Sequence, residues 1–370
     1  HNPYFGPRPS GCAVNYIGSK YSLLEFLERG ILGRVRANGQ VFLDVFAGTG
    51  IVGWHFKQRG FRVVANDVQY YAYCRCRALV GIDRPPEFAG IVNELALDAT
   101  DGAQSDPVEA LLTYLNALGG EDGFVYRTYC PGGTRGSAFE RQYFCDENGR
   151  RCDAIRTRIE VWREQAWVTE DEYYYMLASL IDAADRVANT ASVYGAFLKH
   201  IKKSAQRPLR LGRLPVVGGR GRNVIHNCDG GELVGEVACD VLYMDPPYNQ
   251  RQYCANYHVL ETIARYDRPE VHGITGLRDS GDQKSDFCVK RRVLPAFERM
   301  VDRTSARHVF LSYNSEGLMQ KDDILDVMGR YGQVELLTQD YGRFRADVDR
   351  ENRVYKADRV EEYLFCLDKG

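Results

Sequence analysis

The sequence has no run of about 18 apolar residues, so no transmembrane helix and no membrane partner are expected. It has no excess of either charge: 48 Lys plus Arg against 50 Asp plus Glu leave a formal net charge of −2. A whole-chain basic footprint is therefore absent, and any nucleic-acid contact must use a local basic face. There is no CxxC pair, and the 11 Cys are odd in number and scattered. That argues against a secreted disulfide framework and for reduced thiols packed as small apolar residues, as in a cytoplasmic protein. Cys130, Cys145 and Cys152 are neighbours in sequence but at no standard zinc spacing, so zinc is the weaker alternative and no metal is expected. The first residues, His1-Asn2-Pro3-Tyr4, show no charged-then-apolar signal pattern, and the missing Met points to a trimmed or tag-derived start. Internal repeats and low-complexity tracts are also missing.

What is present is a chain of 370 residues, 44% apolar and 26% charged. That is enough apolar material for a large core and for two or three domain-sized units, and it excludes a disordered or fibrous protein. Up to about residue 95, short apolar runs alternate with helical stretches. Val41–Phe46 reads as a strand, Trp54 and Phe56 lie in a helix closed by Gly60, and Phe61–Asp67 reads as a second strand. Strand, glycine turn, helix, strand is a βαβ unit and implies a parallel sheet. Between about 96 and 222 the pattern is mostly helical, with Thr169 and Glu172 spaced as a capping box. From 223 the strand–helix rhythm returns, with strands expected at 223–226, 241–244, 308–312, 334–338 and 361–366. The expected organisation is an α/β domain, 13–95 and 223–370, interrupted by an insert over 96–222.

Phe46-Ala47-Gly48-Thr49-Gly50 sits where a strand turns into a helix. Glycines there let a ligand approach the backbone, and the helix N-terminus offers N–H groups. Asp67 ends the next strand, about 20 residues on, where an acid is placed to accept bonds from ribose hydroxyls. A nucleoside-containing cofactor follows, though not which one. Gly48, Gly50 and Gly53 also satisfy G-x-G-x-x-G, so a nicotinamide oxidoreductase is one alternative, and a plain βα turn is another.

The segment Val241–Tyr248 is more informative. A buried strand stops at Asp245 and enters a rigid turn, Pro246-Pro247, followed by Tyr248. The prolines fix φ and remove two N–H donors. The Asp245 carboxylate and the Pro246 carbonyl can then accept both hydrogens of an exocyclic amine, while Tyr248 stacks on the ring that carries it. Such an amine is a poor nucleophile, because its lone pair is delocalised. Two fixed acceptors bias it toward a tetrahedral form, and a methyl sulfonium held in line supplies the electrophile. The oxidoreductase alternative leaves the Pro-Pro turn unexplained.

With these residues in view, the chain resembles the Dam-like class of N6-adenine DNA methyltransferases, and more closely the type IIS-type modification enzymes within it. Asn15-Tyr16-Ile17-Gly18-Ser19-Lys20 looks like the N-terminal donor motif, the glycine loop and Asn66-Asp67 like the next two, and Asp245-Pro246-Pro247-Tyr248 like the catalytic motif. The resemblance runs from about residue 13 to 367. It implies a Rossmann-like S-adenosylmethionine-dependent methyltransferase fold with a mostly helical target-recognition insert. It implies S-adenosylmethionine as donor, with Tyr16, Lys20, Phe46, Gly48, Gly50, Asp67 and Asp245 around it, and Cys228-Asp229 beside its adenine. Lys20 is placed near the donor's carboxylate. Asp245, Pro246, Pro247 and Tyr248 carry the catalytic role.

The implied partner is double-stranded DNA, with a cognate restriction endonuclease as a second, open partner, in a bacterial or phage-like, nucleoid-associated setting. Cytosine N4 methylation and a catalytically silent DNA-binding specificity subunit are the alternatives. RNA and protein-glutamine methyltransferases share the DPPY motif, but the NYIGSK segment and the large insert argue against them. From 199 to 222 there is no Asp or Glu, and Lys199, Lys202, Lys203, Arg207 and Arg210 are the candidate phosphate contacts, against a solvated loop as the bland reading. Arg141, Gln142, Tyr143, Arg150 and Arg151 are further candidates for DNA contact. Tyr173-Tyr174-Tyr175 and His258 read better as packing residues, and Tyr194 as either packing or cleft.

Overall fold

The structure is a computed structural model that describes residues 20–97, 106–342 and 359–370. Its centre is a seven-stranded sheet: β1 (Val41–Asp44), β2 (Arg62–Asn66), β3 (Val224–His226), β4 (Val241–Met244), β5 (His308–Asn314), β6 (Gln333–Gly342) and β7 (Arg359–Asp368). The order is β3-β2-β1-β4-β5-β7-β6. The first five of these run parallel, whereas β7 is antiparallel to both β5 and β6. The principal helices are α1 (Ile51–Gln58), α2 (Asp146–Glu164), α3 (Glu170–Arg186), α4 (His258–Arg265), α5 (Val293–Arg303) and α6 (Lys321–Gly329). This is the Rossmann-like architecture of S-adenosylmethionine-dependent methyltransferases.

Local sequence accounts for the central strands. Val241, Leu242, Tyr243 and Met244 are all buried, as expected of a parallel strand covered on both faces. The same holds for Phe42 and Leu43, and Phe42 stacks on Phe56 of α1 at 4.6 Å between ring centroids. Leu242, Met244, Val309, Leu311 and Phe365 pack with Phe297 and Met300 of α5 and Ile324 and Met328 of α6 into one core. The chain leaves β1 toward β2 and β3 on one side and returns through β4 on the other. The edge between β1 and β4 is therefore a topological switch point, where ligands of open α/β sheets bind at the strands' carboxyl ends.

The chain divides into two compact units. The sheet unit contains, among the described residues, those of Gly18–Cys76, Gly218–Cys254 and Gly281–Gly370. The other, among the described residues, contains Arg77–Val217 and Ala255–Ser280. It is mostly helical, with one two-residue antiparallel ladder, Val271–His272 against Leu277–Arg278. The capping box at the head of α3 is formed, with the Thr169 side chain accepting from the Glu172 amide and the Glu172 carboxylate accepting from the Thr169 amide. Tyr173, Tyr174 and Tyr175 are all buried along α3. Arg156 of α2 is buried as well, and its guanidinium donates to the carbonyls of Ile263 and Ala264 in the last turn of α4, at 3.1 Å each. Those are carbonyls that a helix end leaves without intrahelical partners. Asp153 does the converse job at an N-terminus, accepting from the amides of Val125 and Tyr126 and from the Tyr266 hydroxyl.

Candidate active site

The glycine loop and the Asp-Pro-Pro-Tyr turn leave adjacent parallel strands at the switch point. Asp44, the last residue of β1, is in register with Tyr243, two residues before Asp245. Gly48 and Gly50 both take left-handed backbone angles, φ 51° and 77°, and Gly50 is the N-cap of α1. A side chain on Gly50 would be strained there and would also press on the Cys76 sulfur at 3.2 Å. Phe46 packs edge-on against Phe287 at 5.1 Å.

Asp67 lies just past the end of β2. One of its carboxylate oxygens accepts from the Gly48 amide at 2.8 Å and the other from the Gln69 amide at 2.8 Å. The acid thus ties the glycine loop to its own turn and stays half-exposed. Asn66, fully buried beside it, donates to the carbonyls of Val45 and Cys228 and accepts from the Cys228 amide. One side-chain amide therefore fixes the ends of β1, β2 and β3. Cys228 is held in this way, and the Asp229 carboxylate caps a short helical turn by accepting from the Glu232 amide.

Lys20 is buried between two carboxylates, its ammonium 3.2 Å from Asp245 and 3.5 Å from Glu362 of β7. Burial opposes its charge, but the two acids outweigh that and hold Lys20 above its ordinary range. Burial pushes the Asp245 carboxyl up to about 6, with Lys20 pulling it down and Glu362 adding to the rise. Asp44 is only 1% exposed, and neither carboxylate oxygen accepts a hydrogen bond of ordinary geometry from the described residues, the Gly53 amide being the one donor that interacts with it. Burial, reinforced by Asp245 and then Asp67, holds its carboxyl well above the usual range, with the Gly53 amide only partly offsetting this.

The structure therefore joins Lys20 to Asp245, and Gly48 to Asp67, and places both sets at the carboxyl ends of neighbouring strands. Pro246 is buried, while Pro247 and Tyr248 are partly exposed. The Tyr248 carbonyl accepts from the Leu318 amide at 3.0 Å, which fixes the far side of the turn. Tyr16 lies outside the described residues. Asp44 and Glu362 were not singled out by sequence reasoning as parts of a site, and Asn66 was named only as the neighbour of Asp67 in its motif. An Asn before the ribose acid and an Asp closing a strand before a glycine turn were local hints, whereas Glu362 carried none.

The basic candidates belong to the helical unit. Lys199, Lys203, Arg207 and Arg210 are exposed, but Lys202 turns inward and donates to the Thr190 carbonyl at 2.7 Å. Their segment is mostly irregular and is pegged by Asn148, which bonds the carbonyls of Ala205 and Arg207 and the amide of Leu209. The other suggested DNA contacts, Arg150 apart, face into the protein. Arg141 and Tyr143 are buried, Gln142 donates to the Leu198 carbonyl, and Arg151 to the carbonyls of Leu209 and Asn116. Arg150 pairs with Asp122. Several donors on one rigid head suit a guanidinium to fastening irregular backbone, so Arg in a loop is no mark of DNA contact by itself. Tyr194 is core, its hydroxyl bonded to Asp185, and His258 is buried at the head of α4.

Comparison with known proteins bears on this geometry. A sequence model of the D12 class N6 adenine-specific DNA methyltransferases matches residues 16–327. The chain is 42% identical to the type II methyltransferase M.NlaIII of Neisseria lactamica over 358 residues, 96% of this chain and 99% of that one. It is 34% identical to M.FokI of Planomicrobium okeanokoites across 96% of this chain but 53% of that larger protein. It is also 34% identical to M.CviAII of Paramecium bursaria Chlorella virus 1, over 98% of that protein. The family description names adenine N6, so the cytosine N4 alternative falls away. With its glycine loop and its Asp-Pro-Pro-Tyr turn on neighbouring strands, the chain belongs to the D12 class N6 adenine-specific DNA methyltransferases.

Proposed function

We propose that the sheet unit takes S-adenosylmethionine at the corner formed by Gly48, Gly50, Asp67 and Asp44, with Phe46 and Cys228-Asp229 at its edge, and methylates an adenine amine held by Asp245 and Pro246. The residues fit a donor of that kind. Asp44 is a buried acid whose oxygens accept no hydrogen bond of ordinary geometry from the described residues, a setting that a polar ligand group would complete. Asp67 is a fixed, half-exposed acid at the end of the next strand, suited to ribose hydroxyls. When bound, the donor supplies an electrophilic methyl group on a positively charged sulfur.

The observation that carries the reading is that Asp245 and the glycine loop emerge one strand apart, about 4.8 Å, so amine and methyl group meet without a large movement of either support. The Asp245 carboxylate and the Pro246 carbonyl each accept one N–H of the amine, and Tyr248 stacks on the purine. Lys20 and Glu362 act as positioning residues, keeping the Asp245 carboxylate in one orientation. The proton that the amine loses goes to Asp245 and then to water, which a carboxyl with its pKa near 6 allows.

In a duplex the adenine amine is paired and stacked, so the base is flipped into this pocket. The helical unit supplies target recognition over residues 96–222, and Lys199, Lys203, Arg207 and Arg210 hold phosphates. The relatives' designation as type II methyltransferases supports a role in restriction–modification, beside an endonuclease of the same specificity, at the DNA of the producing cell. The test is labelled-methyl incorporation into duplex DNA followed by digestion. N6-methyladenine is the expected product, and Asp67→Ala is expected to weaken donor binding in calorimetric titration. A protein that binds no donor, or a variant with unchanged affinity, contradicts the assignment.

A further inference from the structure

In the helical unit, the short ladder Val271–His272 with Leu277–Arg278 is closed by the turn Gly273-Ile274-Thr275-Gly276. Gly273 and Gly276 take φ 67° and 63°, and the Gly276 amide donates back to the Gly273 carbonyl. Exposed turns ordinarily leave such carbonyls to water. Here three accept from side chains within the unit, and the fourth, that of Thr275, faces a histidine ring nitrogen. Arg141 donates to the Gly273 carbonyl at 2.9 Å and to the Ile274 carbonyl at 3.1 Å. The His258 Nε2 lies 3.0 Å from the Thr275 carbonyl, and the Tyr129 hydroxyl donates to the Gly276 carbonyl at 3.1 Å. The three holding side chains are themselves buried.

This fastened backbone presents an apolar tip. Ile274 is 62% exposed and Leu277 36%. The other exposed large apolar side chain among the described residues is Phe139 at 40%, two positions before the anchoring Arg141. Three side chains fall far short of the roughly 800 Å² per partner that a stable protein interface buries. A wedge between stacked base pairs needs only one apolar side chain, provided its support does not yield. The substrate of this family is DNA, and a rigid aliphatic tip is suited to opening a base stack.

We propose that Ile274 is an apolar wedge that enters the base stack of the duplex and helps extrude the target adenine, with Arg141, His258 and Tyr129 as its positioning residues. The proposal rests on the adenine-methyltransferase reading and on base flipping. Its test compares wild type with Ile274→Ala on two duplexes. In one the target adenine is opposite thymine, and in the other it is opposite an abasic site, where extrusion needs little help.

The expected result is a loss of about tenfold in kcat/KM on the paired duplex that largely disappears on the abasic one. A 2-aminopurine at the target position should also brighten less with the variant than with wild type. Ile274 is exposed, so an unchanged thermal midpoint is expected and serves as the folding control. An equal loss on both duplexes, or none on either, overturns the wedge. So does a wild-type dimer in sedimentation that Ile274→Asp dissolves, since the tip is then a protein contact. If wild type methylates neither duplex, it is the enzyme reading that has failed, not the wedge alone.

Discussion

The two units fasten their backbones by different means. In the sheet unit, ladder hydrogen bonds and apolar faces do most of the work, and buried polar side chains such as Lys20, Asp44, Asn66 and Glu362 gather at or near the strand ends where the site forms. In the helical unit, buried polar side chains hold the irregular chain itself. Asn148 pegs the basic segment, Asp153 caps a helix, Arg156 closes α4 and Arg141 grips a turn. A buried polar group in the first unit is therefore a guide to chemistry, whereas in the second it is usually a guide to architecture. The sequence alone does not draw this distinction, which is why it offers Arg141 and Arg151 as candidates for DNA contact.

That contrast can be broken by experiment. The largest effect is expected from Asp245→Ala, which should lower kcat by about 10³ while leaving thermal stability and duplex affinity nearly unchanged, since a fixed polar group at the reacting atoms is removed. Labelled methyl transfer and a binding isotherm on the same preparation check it, and full turnover in the variant would move the chemistry elsewhere. Next comes Asp153→Ala, which leaves two amides and the Tyr266 hydroxyl short of a partner. A loss of about 3 kcal/mol in denaturant unfolding is expected. A change within a few tenths would mean that these caps matter little.

The third prediction concerns pH. If the Asp245 carboxylate is the acceptor, kcat rises as pH passes through about 6, the value to which burial brings it. Lys20 lowers that value and Glu362 raises it, with Asp44 and Tyr243 also near. Lys20→Met should therefore move the rising limb to higher pH, and Glu362→Gln should move it to lower pH. Opposite displacements are the signature sought, and parallel ones would refute the electrostatic account. The smallest effect is expected from Lys203→Ala, which should reduce the slope of log affinity against log salt by about 0.9, the change that removing a single cation from the phosphate backbone produces. Lys202→Ala, whose ammonium is already committed to a carbonyl, should leave that slope alone.

Much of the fold was legible where its signals are local. The apolar run of β4 ends at an acid followed by two prolines, and Thr169 with Glu172 announced the head of α3 in four residues. The parts that stayed hidden depend on long separations. Glu362 meets Lys20 across 342 positions, and nothing near either residue foretells the pairing. Asn66 clamps strands whose adjacency is a matter of topology. The roles of Arg141 and Arg156 were invisible for another reason: a guanidinium looks the same in sequence whether it faces a phosphate or a backbone carbonyl.

The position of β7 has a consequence for how the enzyme comes into being. It lies between β5 and β6 in the sheet but is synthesised after both, and β6 has no other ladder partner among the described residues. It also carries the second carboxylate of the Lys20 pairing. A nascent chain still short of residue 359 thus lacks both the strand that ties β6 into the sheet and the Glu362 carboxylate that faces Lys20, so this corner of the molecule is completed only by the last strand to be made.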